Sequence, residues 1–279
     1  MGRIIFFTLT IFFFMAGCNG DILKRMHSHK ALIIKDKTIG KIDFTQLKQI
    51  PVSPSLSIVK VYPDIVFYNC TFTDSIIAFR TTKNKAIYTE FYGNVVFYKC
   101  KFHKPVIFKQ SQFYRQTKFK EDTFYSFANY EGAGFLATKN NFSESSFKQK
   151  ASFSGAKFLG EVNFMRSEFY QAFFSKTVFN DLVNFSACKF EKYLSLYDIR
   201  ANDFFFNYVK VHGEAILKNC YFMTRTEFIK FSSDTVFKFS DSYFYGRTKL
   251  VKPKIKGKIF VNNLRFYGDT IWQLPSNKL

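Results

Sequence analysis

Residues 153–169, Phe153-Ser-Gly-Ala-Lys-Phe158-Leu-Gly-Glu-Val-Asn-Phe164-Met-Arg-Ser-Glu-Phe169, carry aromatic side chains at intervals of five, six and five residues. The combined interval of eleven residues continues in both directions. With one extra residue before Phe142 and one missing residue before Phe174 and before Phe206, it defines a first series that is apolar throughout: Phe97, Phe108, Phe119, Tyr130, Phe142, Phe153, Phe164, Phe174, Phe185, Leu196, Phe206, Leu217, Phe228, Phe239, Leu250, Val261 and Trp272.

A companion series lies five residues further on and is also mostly aromatic. Its main members are Phe102, Phe113, Phe124, Phe135, Phe147, Phe158, Phe169, Phe179, Phe190, Val211, Phe222, Phe244, Ile255 and Phe266. Two residues before these positions the side chain is usually small or β-branched, as in Cys100, Ala156 and Val162. Inward positions two residues apart, with polar residues between them, are typical of β-strands.

Glycine recurs two residues after the companion series, at Gly93, Gly160, Gly246 and Gly268. Each of these glycines precedes a six-residue step. We therefore expect corners there that need the conformational freedom of glycine.

This pattern resembles the pentapeptide-repeat family in its Phe-centred form, with Phe153-Ser-Gly-Ala-Lys-Phe158 close to the family motif. The resemblance covers roughly residues 65–272. It implies an all-β fold, a right-handed quadrilateral β-helix with four repeats per turn. The alternative is an amphipathic helical protein, because eleven residues also make three helical turns. The abundance of Phe and Thr and the five-six alternation disfavour helices.

Residues 1–17 are typical of a secretory signal peptide. Arg3 precedes the apolar run Ile4–Met15, and small residues follow. The run is shorter than the ~20 residues needed to span a bilayer. Met15-Ala16-Gly17-Cys18 resembles the lipobox of bacterial lipoproteins, which implies lipidation of Cys18. An ordinary signal peptide with an incidental cysteine and a plain membrane anchor remain alternatives.

The predicted domain organisation has four parts. They are a lipoprotein signal peptide (1–17), a tether and N-terminal cap (18–64), a repeat β-helix (65–272) and a C-terminal tail (273–279). Residues 80–85 (RTTKNK) are expected to form a loop excursion from the repeat.

Composition narrows the classes of partner. The 279 residues include 40 Phe and 16 Tyr, and 41 Lys and Arg oppose 21 Asp and Glu, a formal charge of +20. This apolar content excludes general disorder, and the positive charge favours anionic neighbours. Gyrase-protecting pentapeptide-repeat proteins mimic DNA with acidic surfaces. A basic, exported chain argues against that role, and nucleic acid is an unlikely partner.

No catalytic motif is evident, and the acidic residues are dispersed singly. We therefore expect no enzyme activity, no cofactor and no metal, although stacking of turns could align two carboxylates. Cys70, Cys100, Cys188 and Cys220 each lie two residues before an aromatic residue, which predicts four buried, unpaired thiols. The spacings of 30 and 32 residues indicate that neither neighbouring pair shares a column.

Two surface features are candidate binding sites. Tyrosines that follow inward aromatic residues could form an aromatic platform or simply stabilising ladders: Tyr92, Tyr114, Tyr125, Tyr170, Tyr245 and Tyr267. Basic residues near the C terminus could bind an anionic partner or protect a strand edge, and the last four are expected to share one strand face: Arg247, Lys249, Lys252, Lys254, Lys256 and Lys258.

Together these features predict a lipid-anchored, non-catalytic scaffold or interaction protein. It would lie on the extracytoplasmic side of a bacterial membrane, as part of the cell envelope. Its partners would be the membrane, through the lipid anchor, and a protein or an anionic envelope polymer. The alternative is a carbohydrate-binding or carbohydrate-active β-helix protein.

Overall fold

In the computed structural model of the protein, which describes residues 19–26 and 30–273, four short strands make up each turn of a parallel β-solenoid. One turn consists of Val95–Tyr98, Lys101–Phe102, Val106–Ile107 and Gln112–Phe113, after which Thr117–Lys120 pairs in parallel with Val95–Tyr98. The predicted all-β solenoid is confirmed. Because paired strands lie ~4.8 Å apart, the stack is roughly 45 Å long.

The helices and strands have the following bounds. The N-terminal part contains an α-helix at Asn19–Met26, a 3-10 helix at Phe44–Gln46 and the strands Leu32–Lys35, Thr38–Ile39, Ile42–Asp43, Gln49–Ser53, Leu56–Val61, Ile65–Tyr68, Thr71–Phe72, Ile76–Ile77, Phe79–Thr81 and Ala86–Phe91. The middle contains Val95–Tyr98, Lys101–Phe102, Val106–Ile107, Gln112–Phe113, Thr117–Lys120, Thr123–Phe124, Ala128–Asn129, Gly134–Phe135, Lys139–Asn141, Ser146–Ser152, Lys157–Phe158, Glu161–Asn163, Glu168–Phe173, Val178–Phe179 and Val183–Asn184. The C-terminal part contains Lys189–Tyr197, Arg200–Phe205, Lys210–Val211, Glu214–Lys218, Tyr221–Ile229, Ser232–Ser233, Val236–Phe244, Arg247–Val251, Lys254–Ile255, Lys258–Phe266 and Thr270–Trp272.

The aromatic series fill the interior as stacked columns. Phe164 is fully buried, and its ring stacks on Phe142 at 5.2 Å and on Phe185 at 5.1 Å between centroids. Phe135 stacks on Phe158 in another column at 4.4 Å. Such contacts add to the burial of large apolar surface. The regularly spaced Phe residues therefore form the core that the sequence pattern predicts.

The shifts in the eleven-residue pattern are real changes in the length of a turn. Phe113 pairs with Phe135, but Thr117 pairs with Asn140, so the extra residue lies in 136–139. The register also changes beside Phe169 and beside Ala201, where one residue is missing. All three changes fall at corners, which absorb them without moving the inward columns.

Every turn has corners in the left-handed backbone region, and most of them are not glycine. Among the described residues, positive φ recurs two residues after the first series at Asp36, Asn69, Lys99, Gln110, Glu121, Gly132, Glu144, Gly155, Arg166, Lys176, Ala187, Asp198, Tyr208, Asn219, Lys230, Asp241, Lys252 and Asn263. Several of these turns are closed by a backbone hydrogen bond, such as Ser167 N to Phe164 O at 3.1 Å. The stacked neighbours must outweigh the strain of about 1–2 kcal/mol at each non-glycine corner.

The predicted reason for the other glycines is wrong. Gly93, Gly160, Gly246 and Gly268 do not have positive φ. They lie where adjacent turns approach closely: a Cβ at Gly160 would be 2.3 Å from the carbonyl oxygen of Thr138, and one at Gly246 would be 1.6 Å from that of Thr224. The corner requires the absence of a side chain, not a left-handed backbone.

The stack begins before residue 65. Leu32–Lys35 pairs with Ile65–Tyr68, so much of the segment expected to be a tether forms the first turn. The helix Asn19–Met26 contacts this turn, and Ile22 and Met26 are each only 4% exposed. The helix therefore closes the N-terminal end of the solenoid.

The excursion at residues 80–85 is a β-hairpin. Phe79–Thr81 pairs antiparallel with Ala86–Phe91, and Thr82 N donates to Lys85 O at 2.8 Å. Arg80 forms an ion pair with the buried Asp43, which ties the hairpin to the first turn. This hairpin lengthens its turn to 30 residues and has a consequence for the cysteines.

Cys70 and Cys100 lie in the same column, contrary to the expectation from their spacing. Their neighbours pair as Tyr98 with Tyr68 and Lys101 with Thr71, so the two cysteines occupy equivalent places in adjacent turns. The hairpin supplies the residues that disguise this register. All four described cysteines are buried and unpaired, as predicted.

Candidate functional site

The six platform tyrosines fall into two surface columns on different sides of the solenoid. Tyr92, Tyr114, Tyr245 and Tyr267 follow inward residues of one column, whereas Tyr125 and Tyr170 follow those of another. The first column is interrupted between Tyr114 and Tyr245, where Leu, Asn and Met residues take the equivalent places. The tyrosines therefore do not form one continuous platform.

Tyr62, Tyr92 and Tyr114 form a short ladder near the N-terminal end. Tyr92 stacks on Tyr62 at 5.1 Å and on Tyr114 at 4.5 Å. The hydroxyl of Tyr92 donates to a carboxylate oxygen of Glu90 at 2.8 Å, and Glu90 is buried. Burial raises the pKa of Tyr92, and Glu90 raises it further. The ladder is thus held rigidly from behind by a carboxylate.

A surface cleft of about 450 Å³ opens beside this ladder. It is lined by Asn94, Tyr114, Arg115, Gln116, Leu136, Ala137, Thr138 and Lys139. The extra residue of the turn lies in this wall, and the Asn140 side-chain amide donates to the carbonyl oxygen of Ala137 at 3.3 Å. The cleft therefore combines an exposed ring with amide and cationic side chains, a set that suits a polar or acidic sugar.

The second tyrosine column mixes rings with charges. The His103 ring stacks on Tyr125 at 4.9 Å, and Lys148 separates Tyr125 from Tyr170. Lys192 lies over the Tyr170 ring, with its ammonium 5.5 Å from the centroid. At the far end of the first column, Tyr245 stacks on Tyr267 at 5.2 Å. These contacts are side-chain ladders along the stack.

The basic C-terminal residues do not share one strand face, and that expectation is wrong. The chain turns at Lys252, whose φ is 50°, and again before Lys258. Arg247 and Lys249 lie on one side of the solenoid, Lys254 on the next and Lys258 on a third. The alternation of lysines therefore continues around corners, and the charges surround the last turn.

This last turn is the least covered part of the solenoid. Its inward residues Ile255, Ile259, Leu264, Phe266 and Trp272 are only partly buried. One turn earlier, the equivalent residues of Ile259 and Phe266, which are Phe237 and Phe244, are fully buried. No described strand covers the other side of the last turn, because its strands pair only with the preceding turn.

Paired carboxylates occur on the surface but are held by lysine. Lys120 Nζ lies 3.0 Å from Glu121 and 3.3 Å from Glu144, which belongs to the next turn. The bond from Lys120 lowers the pKa of Glu121. A general acid needs the opposite shift, so this pair is a structural ion-pair network. Within residues 19–26 and 30–273, no group of three or more His, Cys, Asp or Glu side chains could hold a metal ion.

The sequence analysis missed one buried acid. Asp122 occupies the column of Cys100 and Ser167, and one of its carboxylate oxygens accepts a hydrogen bond from the backbone N of Cys100 at 2.6 Å. The other oxygen is buried without a hydrogen-bond partner. Burial raises the pKa of Asp122 well above its usual range. Its place three residues after Phe119 was the available signal, which its polar character obscured.

Cys18, the predicted lipidation site, lies outside the described residues, as do the signal peptide and residues 274–279 of the tail. Cys18 directly precedes the capping helix in sequence. In the part of the chain that the structure covers, no helix is both long and apolar enough to cross a membrane. Neither protein-family models nor curated proteins give a match to this chain.

Proposed function

We propose that the protein is a membrane-anchored, non-catalytic scaffold of the bacterial cell envelope, built on a pentapeptide-repeat β-helix and lipidated at Cys18. The regular Phe columns and the four-stranded turns support the family assignment. The lipobox-like residues Met15-Ala16-Gly17-Cys18 support the anchor. Two acyl chains or more give stable attachment, since each buried CH₂ contributes about 0.8 kcal/mol.

One observation carries this proposal: the two ends of the solenoid differ. The closed end lies next to the anchoring residue, because the capping helix begins at Asn19. The open end lies roughly 45 Å away along the stack and is surrounded by basic side chains. Such a molecule attaches to the membrane at one end and presents a cationic surface at the other. An anionic partner is the one that this surface favours.

Fractionation of cells tests the anchor. The Cys18→Ser protein should leave the membrane fraction and become soluble, whereas Cys70→Ser, in a buried interior slot, should stay attached. Metabolic labelling with a palmitate analogue should mark the parent and the Cys70→Ser control but not Cys18→Ser. Retention of Cys18→Ser in salt-washed membranes would refute lipidation as the means of attachment.

Carbohydrate binding is a second candidate function, supported by the cleft beside Tyr114. An exposed tyrosine ring with Arg115 and Lys139 nearby suits a sugar that carries a carboxylate or phosphate. Calorimetric titration with acidic oligosaccharides tests it. Tyr114→Ala should abolish binding, and Tyr170→Ala, on another side, should leave it unchanged. Equal binding by both variants would remove this candidate.

A further inference from the structure

The last turn offers unpaired backbone groups. Lys254–Ile255, Lys258–Phe266 and Thr270–Trp272 each pair only with a strand of the preceding turn, so no described strand takes up the hydrogen-bonding groups on their other side. Lys258–Phe266 is nine residues long, as long as any strand in the protein. Such an edge is a template for one more parallel strand.

The same end exposes apolar surface beside this edge. Ile259 is partly exposed, whereas Phe237, its register partner in the preceding turn, is 1% exposed. Trp272 is also half-buried and packs against Phe266 at 5.1 Å. An additional strand with inward apolar side chains would cover these residues as each internal turn covers its neighbour.

The charge of the last turn selects the kind of strand. Arg247, Lys249, Lys252, Lys254, Lys256, Lys258 and Arg265 face one acid, Asp269, within residues 247–273. Lys256 pairs with Asp234 of the preceding turn at 3.4 Å, but no ion pair among the described residues involves Lys254 or Lys258. A second copy of the same end would meet strong repulsion, whereas an acidic segment would be attracted.

We propose that the last turn binds an extended, acidic segment of a partner protein, which adds a β-strand to the edge formed by Lys258–Phe266. The segment would alternate apolar residues, which cover Ile259 and Val261, with Asp or Glu residues, which lie near Lys254, Lys258 and Arg265. Backbone hydrogen bonds give the affinity, and the alternation gives the specificity. This proposal rests on the scaffold function and names the class of its partner.

The single tryptophan of the chain makes the test direct, because Trp272 lies in the last turn. The purified full-length mature protein is titrated with a synthetic peptide of sequence Asp-Val-Glu-Ile-Asp-Val-Glu. We expect the Trp272 emission to shift to shorter wavelength and to saturate. A Lys254→Glu/Lys258→Glu variant should bind at least about tenfold more weakly. The matched control, Lys24→Glu/Lys35→Glu at the closed end, should bind as the parent does.

Modified peptides separate strand addition from simple charge attraction. N-methylation of alternate peptide nitrogens should abolish the shift, since it removes the donors of the added strand. Equal binding of the N-methylated peptide, or of polyphosphate with the same saturation, would overturn strand addition. Binding that appears only after residues 274–279 are deleted would show that the chain's own tail occupies the edge. Self-association in sedimentation experiments without peptide would show a second copy there. Either result would refute the partner segment.

Circular dichroism of the charge-reversal variant shows whether it remains folded, and Lys254→Gln/Lys258→Gln provides a milder change that should weaken binding by a smaller factor. None of these variants alters Cys18. Membrane fractionation of the same proteins therefore tests the anchor separately, and either result can fail without the other.

Discussion

The two ends of the solenoid are built from the same kind of turn but have different surroundings. At the N-terminal end, Leu32 and Ile39 are each 1% exposed because the helix Asn19–Met26 lies over them. At the C-terminal end, Ile255 and Phe266 occupy inward positions yet remain partly exposed. Burial in this fold is thus supplied by the next element along the stack, not by the residue's own turn.

This difference shows what a repeating lattice cannot provide. Each internal turn covers one neighbour and is covered by another, so a regular sequence pattern is sufficient there. An end needs a different element, and the chain supplies an amphipathic helix at one end only within the described residues. The open end is where a partner can gain most by binding.

The largest expected effect contrasts the middle with the open end. Phe164→Ala should lower the free energy of unfolding by roughly 3–5 kcal/mol, because it leaves a cavity in a fully buried column. Phe266→Ala should cost about 1–2 kcal/mol, since much less area is removed from water there. Urea unfolding measures both. Met165→Ala, at a half-buried outward position, is the control and should stay within about 0.5 kcal/mol. Equal costs at Phe164 and Met165 would show that the inward register is incorrect.

Opening the closed end should make it resemble the other. Ile22→Asp places a carboxylate against the first turn and should destabilise the protein by about 2–4 kcal/mol. Amide hydrogen exchange should rise in Leu32–Lys35 and Thr38–Ile39 and remain slow in the middle turns. Lys24→Asp, on the exposed side of the same helix, is the matched control. Unchanged exchange in the first turn of Ile22→Asp would contradict the capping role.

Gly246 tests how closely the C-terminal turns approach each other. Gly246→Ala should cost about 1–3 kcal/mol, because the new Cβ would meet the backbone of Thr224 and the turns must separate. Gly155→Ala has open space, with its nearest contact at 3.9 Å, and suffers only from its positive φ. Thermal unfolding compares the two. A larger loss at Gly155 would indicate that backbone conformation, not close approach, dominates at these corners.

The smallest expected effect concerns a charge sealed in the middle of the stack. Because burial raises the pKa of Asp122 in the folded state, folding takes up a proton, and this contribution to stability is present at low pH and lost as pH rises above the ordinary value of about 3.9. Asp122→Asn should therefore match the parent near pH 4 and exceed it by on the order of 1 kcal/mol at pH 7. Urea unfolding across this range, with the exposed Asp181→Asn as control, checks it. A variant less stable than the parent at pH 7 would contradict this account.

The sequence predicted the inward columns well, because an eleven-residue interval of aromatic residues directly reports which side chains face the core. It even located the changes in turn length beside Tyr130, Phe169 and Ala201. It could not predict which outward residues meet, since that depends on the position of the corners. Lys252 and Lys258 therefore seemed to share a face, and the hairpin at residues 80–85 hid the common column of Cys70 and Cys100.

The candidate site was predictable in composition but not in arrangement. The basic character of residues 247–258 was evident from the sequence, and the exposed tyrosines were found as residues that follow inward aromatics. The cleft beside Tyr114 arises from one extra residue whose effect appears only after the turns are stacked. The open end is likewise a property of the stack, because the sequence of the last turn resembles that of any other.

The pairing of each turn with only its two neighbours also determines how the protein responds to force. If the N-terminal end is held at a membrane and the C-terminal end is pulled along the axis, the load falls on the outermost turn alone. Its backbone hydrogen bonds break by peeling, at low force, before the next turn is loaded. We expect extension in small successive steps, each releasing roughly 7 nm of chain for a turn of about 22 residues. The rod would therefore yield gradually from its free end while the turns near the anchor stay folded.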